Sequence, residues 1–192
     1  MSPEEFRSDL LRAAAKLPEA VRPIADYIEK VEPDIVLGCD CDARPISVAL
    51  RGVLAARGYD VRYEDRWITS RLGMRMDQHL KTEFDYLREI EQPRVAVVDD
   101  YISSRAHTLA TFRGSLRRNN LAHASVDWLT LAGRGAALSV YPNARPNLTS
   151  PWRDQPGIIG ISYTPDLQPV THDTQLGREF YTAIRENLPS DI

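Results

Sequence analysis

Short apolar runs that alternate with helix-periodic stretches constrain this chain more than any other feature. PDIVLG, YDVRYEDRW, RVAVV, ASVDWLTLA and GIIGISY read as strands, bounded by glycine, proline or charged residues. Between them, Ile46, Ala49, Leu50, Val53 and Leu54 fall at helical spacing ahead of a stop at Gly58. Leu80, Phe84 and Leu87 give a second helix near His79 to Ile90, and Leu109 to Arg118 a third, stopped at Asn119 and Asn120. A parallel neighbour can be reached only by a crossover, so strands separated by helices of about 10 to 15 residues form a parallel sheet. The expected class is α/β, a largely parallel central sheet flanked by helices.

The ends of the chain fit one domain. Ser2, Pro3 and Glu5 spell a helix start, with serine as cap, proline in the first turn and glutamate closing a capping box. Phe6, Leu10, Leu11 and Leu17 form one face, which Val21, Ile24, Ala25 and Ile28 continue past a break expected at Pro18. Residues 1–30 are therefore an N-terminal helical segment and 31–132 the core. Residues 133–173 form a hood or loop region, rich in Pro, Asn, Arg and Gly between Gly133 and Pro156, and 174–192 a closing helix from Thr174 to Leu188. At 192 residues with 43% apolar content, a single continuous core is within reach. A formal charge of −3 supplies no global field for nucleic acid. The N-terminus MSPEEFRSDLL has no long uncharged apolar run for a membrane. Cys39 and Cys41 are too close for an ordinary disulfide and too few for a closed zinc site, so a reducing cytoplasm and packed thiols are expected.

Chemistry concentrates in VAVVDDYISSRAHTL, Val95 to Leu109, where a strand meets Asp99 and Asp100, then Ser103, Ser104, Arg105, Ala106, His107 and Thr108 ahead of a helix. Adjacent carboxylates repel and need hydroxyls, cations or a metal to meet them. A helix start preceded by hydroxyls and an arginine favours phosphate. In open parallel sheets ligands bind beyond the carboxyl ends of strands, so this loop and the one after DIVLG are the places to look.

VAVVDDYISSRAHTL resembles the phosphoribosyl pyrophosphate motif of type I phosphoribosyltransferases: four apolar residues, two acids, two variable residues and a hydroxyl-rich phosphate loop. PDIVLGCDCDARPISVAL is similar to that family's first strand, pyrophosphate loop and helix, with Gly38, Ala43, Pro45 and Ile46 in place. The two parts stand in the family's order, roughly 60 residues apart. The resemblance implies that Asp99 and Asp100 address ribose hydroxyls and hold Mg2+, that Ser103 to Thr108 cradle the 5′-phosphate, and that Cys39, Asp40, Cys41 and Asp42 lie against pyrophosphate. It also implies a mobile catalytic loop at ITSRLGMRMDQ, Ile68 to Gln78, with Arg71 or Arg75 over the leaving group. The implied partner is a small ribose phosphate or nucleotide, with a homodimer common among such domains.

Three departures shape the expectation. SSRAHT lacks the family's glycine, CDCDA is acidic where basic or glycine residues are usual, and Ser103 replaces the aspartate of purine-salvaging members. A domain that binds ribose phosphate without transferring it is one alternative. Another is a haloacid-dehalogenase-like phosphatase, for which Asp40 and Asp42 have the D-x-D spacing. The other histidines, His79, His123 and His172, are scattered. Trp67, Trp128 and Trp152 read as two core or interface residues and one loop residue, with Trp152 or Tyr163 available to stack on a base.

Overall fold

The computed structural model describes residues 2–39, 44–64, 68, 70–102, 107–133, 144–146 and 173–189. Helix α1 (Pro3–Ala20) begins at the expected capping box, with the Ser2 hydroxyl accepting from the Glu5 backbone N–H at 3.2 Å and the Glu5 carboxylate accepting from the Ser2 N–H at 2.6 Å. Pro18 does not break it. The helix runs through that proline to Ala20, and the change of direction comes at Val21, before α2 (Arg22–Val31). Val21 keeps near-helical angles and bonds back to the Leu17 carbonyl at 3.0 Å. The buried stripe Leu10, Ala14, Leu17, Val21 thus stays aligned, which offsets the one bond Pro18 removes.

Four strands form an all-parallel sheet: β1 (Ile35–Gly38), β2 (Tyr63–Glu64), β3 (Arg94–Ile102) and β4 (Ser125–Gly133), in the order β2-β1-β3-β4. A short β5 (Ala144–Pro146) pairs with β4 beside Trp128 to Thr130. After β1, α3 (Arg44–Ala56) leads to β2, and Gly58 takes the expected left-handed turn at φ 68°. Between β2 and β3 come a 3-10 segment (Ser70–Arg75), α4 (Met76–His79) and α5 (Lys81–Arg88). Helix α6 (His107–Arg118) joins β3 to β4, and α7 (Gln175–Glu186), capped by Thr174, closes the described chain. No described helix is long and apolar enough to cross a membrane.

Three sequence readings shift. Of the strand expected across YDVRYEDRW, residues 59–62 are not strand, Tyr63 and Glu64 pair with Val36 and Leu37 on a half-exposed edge, and residues 65–67 lie outside the described residues. The helix expected from His79 begins at Met76 and bends at Leu80, whose angles leave the helical well while Phe84 still bonds its carbonyl at 2.9 Å. Asp99 and Asp100 lie inside β3, not in a loop beyond it, because the nine-residue β4 carries the ladder on to Ile102↔Gly133. The GIIGISY strand and most of the hood, with Trp152 and Tyr163, lie outside the described residues, as do Trp67 and His172.

Alternation along the strands divides two cores. Val36, Ala96, Val98, Leu129 and Leu131 meet α1, α2, α3 and α7 on one face. Ile35, Leu37, Val95, Val97, Val126 and Trp128 meet α5, α6 and the segment from Ile68 to Leu80 on the other. Burial on both faces explains why the strands read as continuous apolar runs.

Candidate functional site

Strand order fixes where a crevice must open. The chain leaves β1 for β2 on one side, with α3 on the first face, then returns past β1 to β3 with α5 on the second face. The reversal puts a topological switch point between β1 and β3, the position at which open α/β sheets bind ligands. β1 stops at Gly38 opposite Val98, and the Cys39 N–H bonds the Val98 carbonyl at 2.8 Å. β3 continues through Asp99, Asp100, Tyr101 and Ile102 with β4 as its neighbour, and among the described residues its pairing with β1 ends at Val98.

Asp99 stands at that edge, 8% exposed. Its Oδ2 accepts a hydrogen bond from the Trp128 indole Nε1–H at 3.2 Å. The contact follows from register: Val97 pairs with Trp128 and Asp99 with Thr130, and the two-residue period puts Asp99, Trp128 and Thr130 on the same face. Phe112 of α6 packs edge-on against Trp128 at 6.4 Å between centroids, bracing the indole from behind. Thr130 is wholly buried, and its hydroxyl meets no hydrogen-bond partner among the described residues.

On the β1 side, Cys39 is buried and its thiol donates to the Ile68 carbonyl at 3.0 Å. It is a packed thiol, and it anchors the start of the segment that the family resemblance assigns to a mobile loop. The far end of that segment is held more firmly. Asp77 receives the Arg118 guanidinium in a two-pronged pair at 2.8 and 3.0 Å and also accepts from the Ser115 hydroxyl. The Arg118 hydrogen bonds, with help from Ser115, hold the Asp77 carboxyl below the usual carboxylate range against a smaller opposing effect of burial. Met76 and Leu80 are fully buried beside it. Between the anchors, Gly73 adopts φ 48° in the 3-10 segment that contains Arg71 and an exposed Arg75.

The remaining expected residues distribute as follows. Asp100 follows Asp99 in β3; His107 is exposed and Thr108 half-buried at the start of α6, where the Thr111 hydroxyl donates to the His107 carbonyl at 2.9 Å. Ser103, Ser104, Arg105 and Ala106, and likewise Asp40, Cys41 and Asp42, lie outside the described residues. Their flanks converge: the gap before α3 follows β1, and the gap before α6 follows β3, both at the carboxyl edge of the sheet. In the first turn of α3, Ser47 is buried with no partner for its hydroxyl among the described residues. His79 and His123 are exposed.

Sequence reasoning missed Trp128 and Thr130 as neighbours of Asp99, and Asp77 with Ser115 and Arg118 as an anchor. The alternation in SVDWLTLA puts Trp128 and Thr130 on a common face, but only the β3–β4 register says which residue of β3 they meet.

No group of three or more metal-ligating side chains occurs among the described residues. A magnesium ion held mainly by substrate phosphates and water needs only one or two carboxylates, and the Asp99 carboxylate is a hard oxygen donor of the required kind. No protein-family model, curated protein or solved structure matches the chain. What is shown is an α/β fold with a parallel sheet flanked by helices.

Proposed function

We propose that this chain is a phosphoribosyltransferase-like enzyme that binds phosphoribosyl pyrophosphate, or a related ribose 5-phosphate or nucleotide, and transfers the phosphoribosyl group with release of pyrophosphate. The observation that carries the reading is the buried Asp99 carboxylate at the switch point, on a strand that outruns its neighbour, held in place by an indole donor. In this reading Asp99 and Asp100 accept hydrogen bonds from the ribose hydroxyls. The 103–108 segment, running into the N-terminus of α6, receives the 5′-phosphate, where free N–H groups and the helix dipole favour an anion. Residues 39–42 face the pyrophosphate, and Arg71 or Arg75 balances its charge as it leaves. Magnesium, held through Asp99 and Asp100, would neutralise the leaving pyrophosphate.

A second reading keeps the pocket without the transfer. It is favoured by the acidic CDCDA segment and by SSRAHT, which lacks the glycine that lets backbone approach a phosphate closely. Two measurements separate these readings. Calorimetric titration with phosphoribosyl pyrophosphate and magnesium should show binding that Asp99→Asn with Asp100→Asn weakens at least a hundredfold while the far-ultraviolet dichroism stays unchanged. Pyrophosphate release with nucleobase acceptors should then follow for the enzyme and fail for the binding-only domain. Equal affinity in wild type and double variant sinks both.

A further inference from the structure

Thr130 is the polar member of the buried set on β4, whose other described members are Val126, Trp128, Leu129 and Leu131. It sits on a parallel strand buried on both faces, where valine or isoleucine is the usual choice, and its hydroxyl is wholly buried without a partner among the described residues. Leaving a buried hydroxyl unpaired costs about 1–3 kcal/mol, whereas the isosteric valine carries no such cost. The cost falls at a particular place. Thr130 is the β4 residue in register with Asp99, strands in a sheet lie about 4.8 Å apart, and the next residue along the same face, Trp128, already donates to the Asp99 carboxylate.

We infer that Trp128 and Thr130 are positioning residues for the ligand that Asp99 binds. The indole holds the carboxylate in the free protein, and the Thr130 hydroxyl supplies a further donor once a ligand draws the carboxylate into its bound orientation. This rests on the ribose-phosphate reading and extends it to β4, a strand none of the sequence motifs covers. A threonine kept at the expense of stability, beside a carboxylate at a switch point, is what a site preorganised for a bound state requires.

The two properties can be set against each other. Thr130→Val removes the unpaired hydroxyl and keeps the shape, so its melting temperature should rise while its affinity for phosphoribosyl pyrophosphate with magnesium falls about tenfold, the loss of one hydrogen bond to a charged group. Thr130→Ser keeps the hydroxyl and loses a methyl, so its melting temperature should fall while its affinity stays within about twofold of wild type. Trp128→Phe should also bind about tenfold more weakly, and the change in tryptophan emission on adding ligand should be smaller in it than in the wild type. A Thr130→Val variant that binds as tightly as wild type overturns the inference and leaves the ribose-phosphate reading standing. A wild-type chain that binds no phosphoribosyl pyrophosphate overturns both.

Discussion

The two faces of the sheet share the same strands and bury different chemistry. The face under α1, α2, α3 and α7 is closed by Leu10, Leu17, Ile28, Leu50, Val53, Phe180 and Ile184, and of the described buried polar residues only Ser47 belongs to its helices. The face under α5 and α6 holds the tryptophan, two further aromatics in contact, and the rest of the buried polar set: Glu83, Asp99, Ser115 and Thr130. The buried described residues of the first face are mostly apolar, with Ser47 and Tyr181, the latter packed against Phe180, as its polar-bearing members. The second must also keep a carboxylate and its supports at the carboxyl edge, and a packed aromatic with a polar handle serves both needs.

The largest expected effects test that division. Leu50→Ala on the first face and Phe112→Ala on the second each remove a fully buried side chain, at a cost of about 2–5 and 3–5 kcal/mol respectively. Denaturant titration should show losses of similar size. Ligand binding should not follow suit. Leu50 faces away from Asp99, so the folded fraction of Leu50→Ala should bind as wild type; Phe112 braces Trp128, so Phe112→Ala should weaken binding more than its loss of stability accounts for. Equal effects on affinity would mean that the two faces are not functionally distinct.

A smaller effect concerns the anchor that pins Ile68–Leu80 to the second face. Asp77 titrates below its ordinary range because Arg118 and Ser115 bond its charged form, so its contribution is present above the unfolded-state value near 3.9 and disappears as pH falls through the lower folded value. Asp77→Asn should therefore cost about 1 kcal/mol at neutral pH, the modest figure reflecting a pair whose side chains are 25% and 40% exposed. The gap from wild type should close as acid protonates Asp77. Urea melts at pH 7 and at successively lower pH trace the gap, and a gap that does not narrow as pH falls below the unfolded-state value would remove the ion pair as its cause.

How far the sequence could be read follows from range. Features set by a few neighbouring residues were legible: the capping box at Ser2, the stop at Gly58, the apolar runs of β1 and β3, and the inward stripe Leu80, Phe84, Leu87. That the acids follow the apolar run of β3 toward its carboxyl half was legible for the same reason. What needed the register of a partner strand was not. Whether Asp99 ends β3 or lies within it depends on the length of β4, and whether Trp128 is filler or a hydrogen-bond donor depends on the pairing of Val97 with it. Pro18 shows the converse, a strong local signal overruled because the buried stripe on either side of it continues unbroken.

The smallest effect lies farthest from the site and fixes the other end of the comparison. Ser2 and Glu5 satisfy each other's backbone N–H groups at the start of α1, whose buried face from Leu10 to Ala20 belongs wholly to the first core. Ser2→Ala removes one of the two bonds and should cost about 0.5–1 kcal/mol, the low side of the range for a cap because both partners are exposed and the first turn can fray without uncovering Leu10. Hydrogen exchange should quicken in the first turn alone, and affinity for phosphoribosyl pyrophosphate should not move. If it did, α1 would be coupled to Asp99 through the sheet, and the separation of the two faces would have to be given up at the element where it ought to be safest.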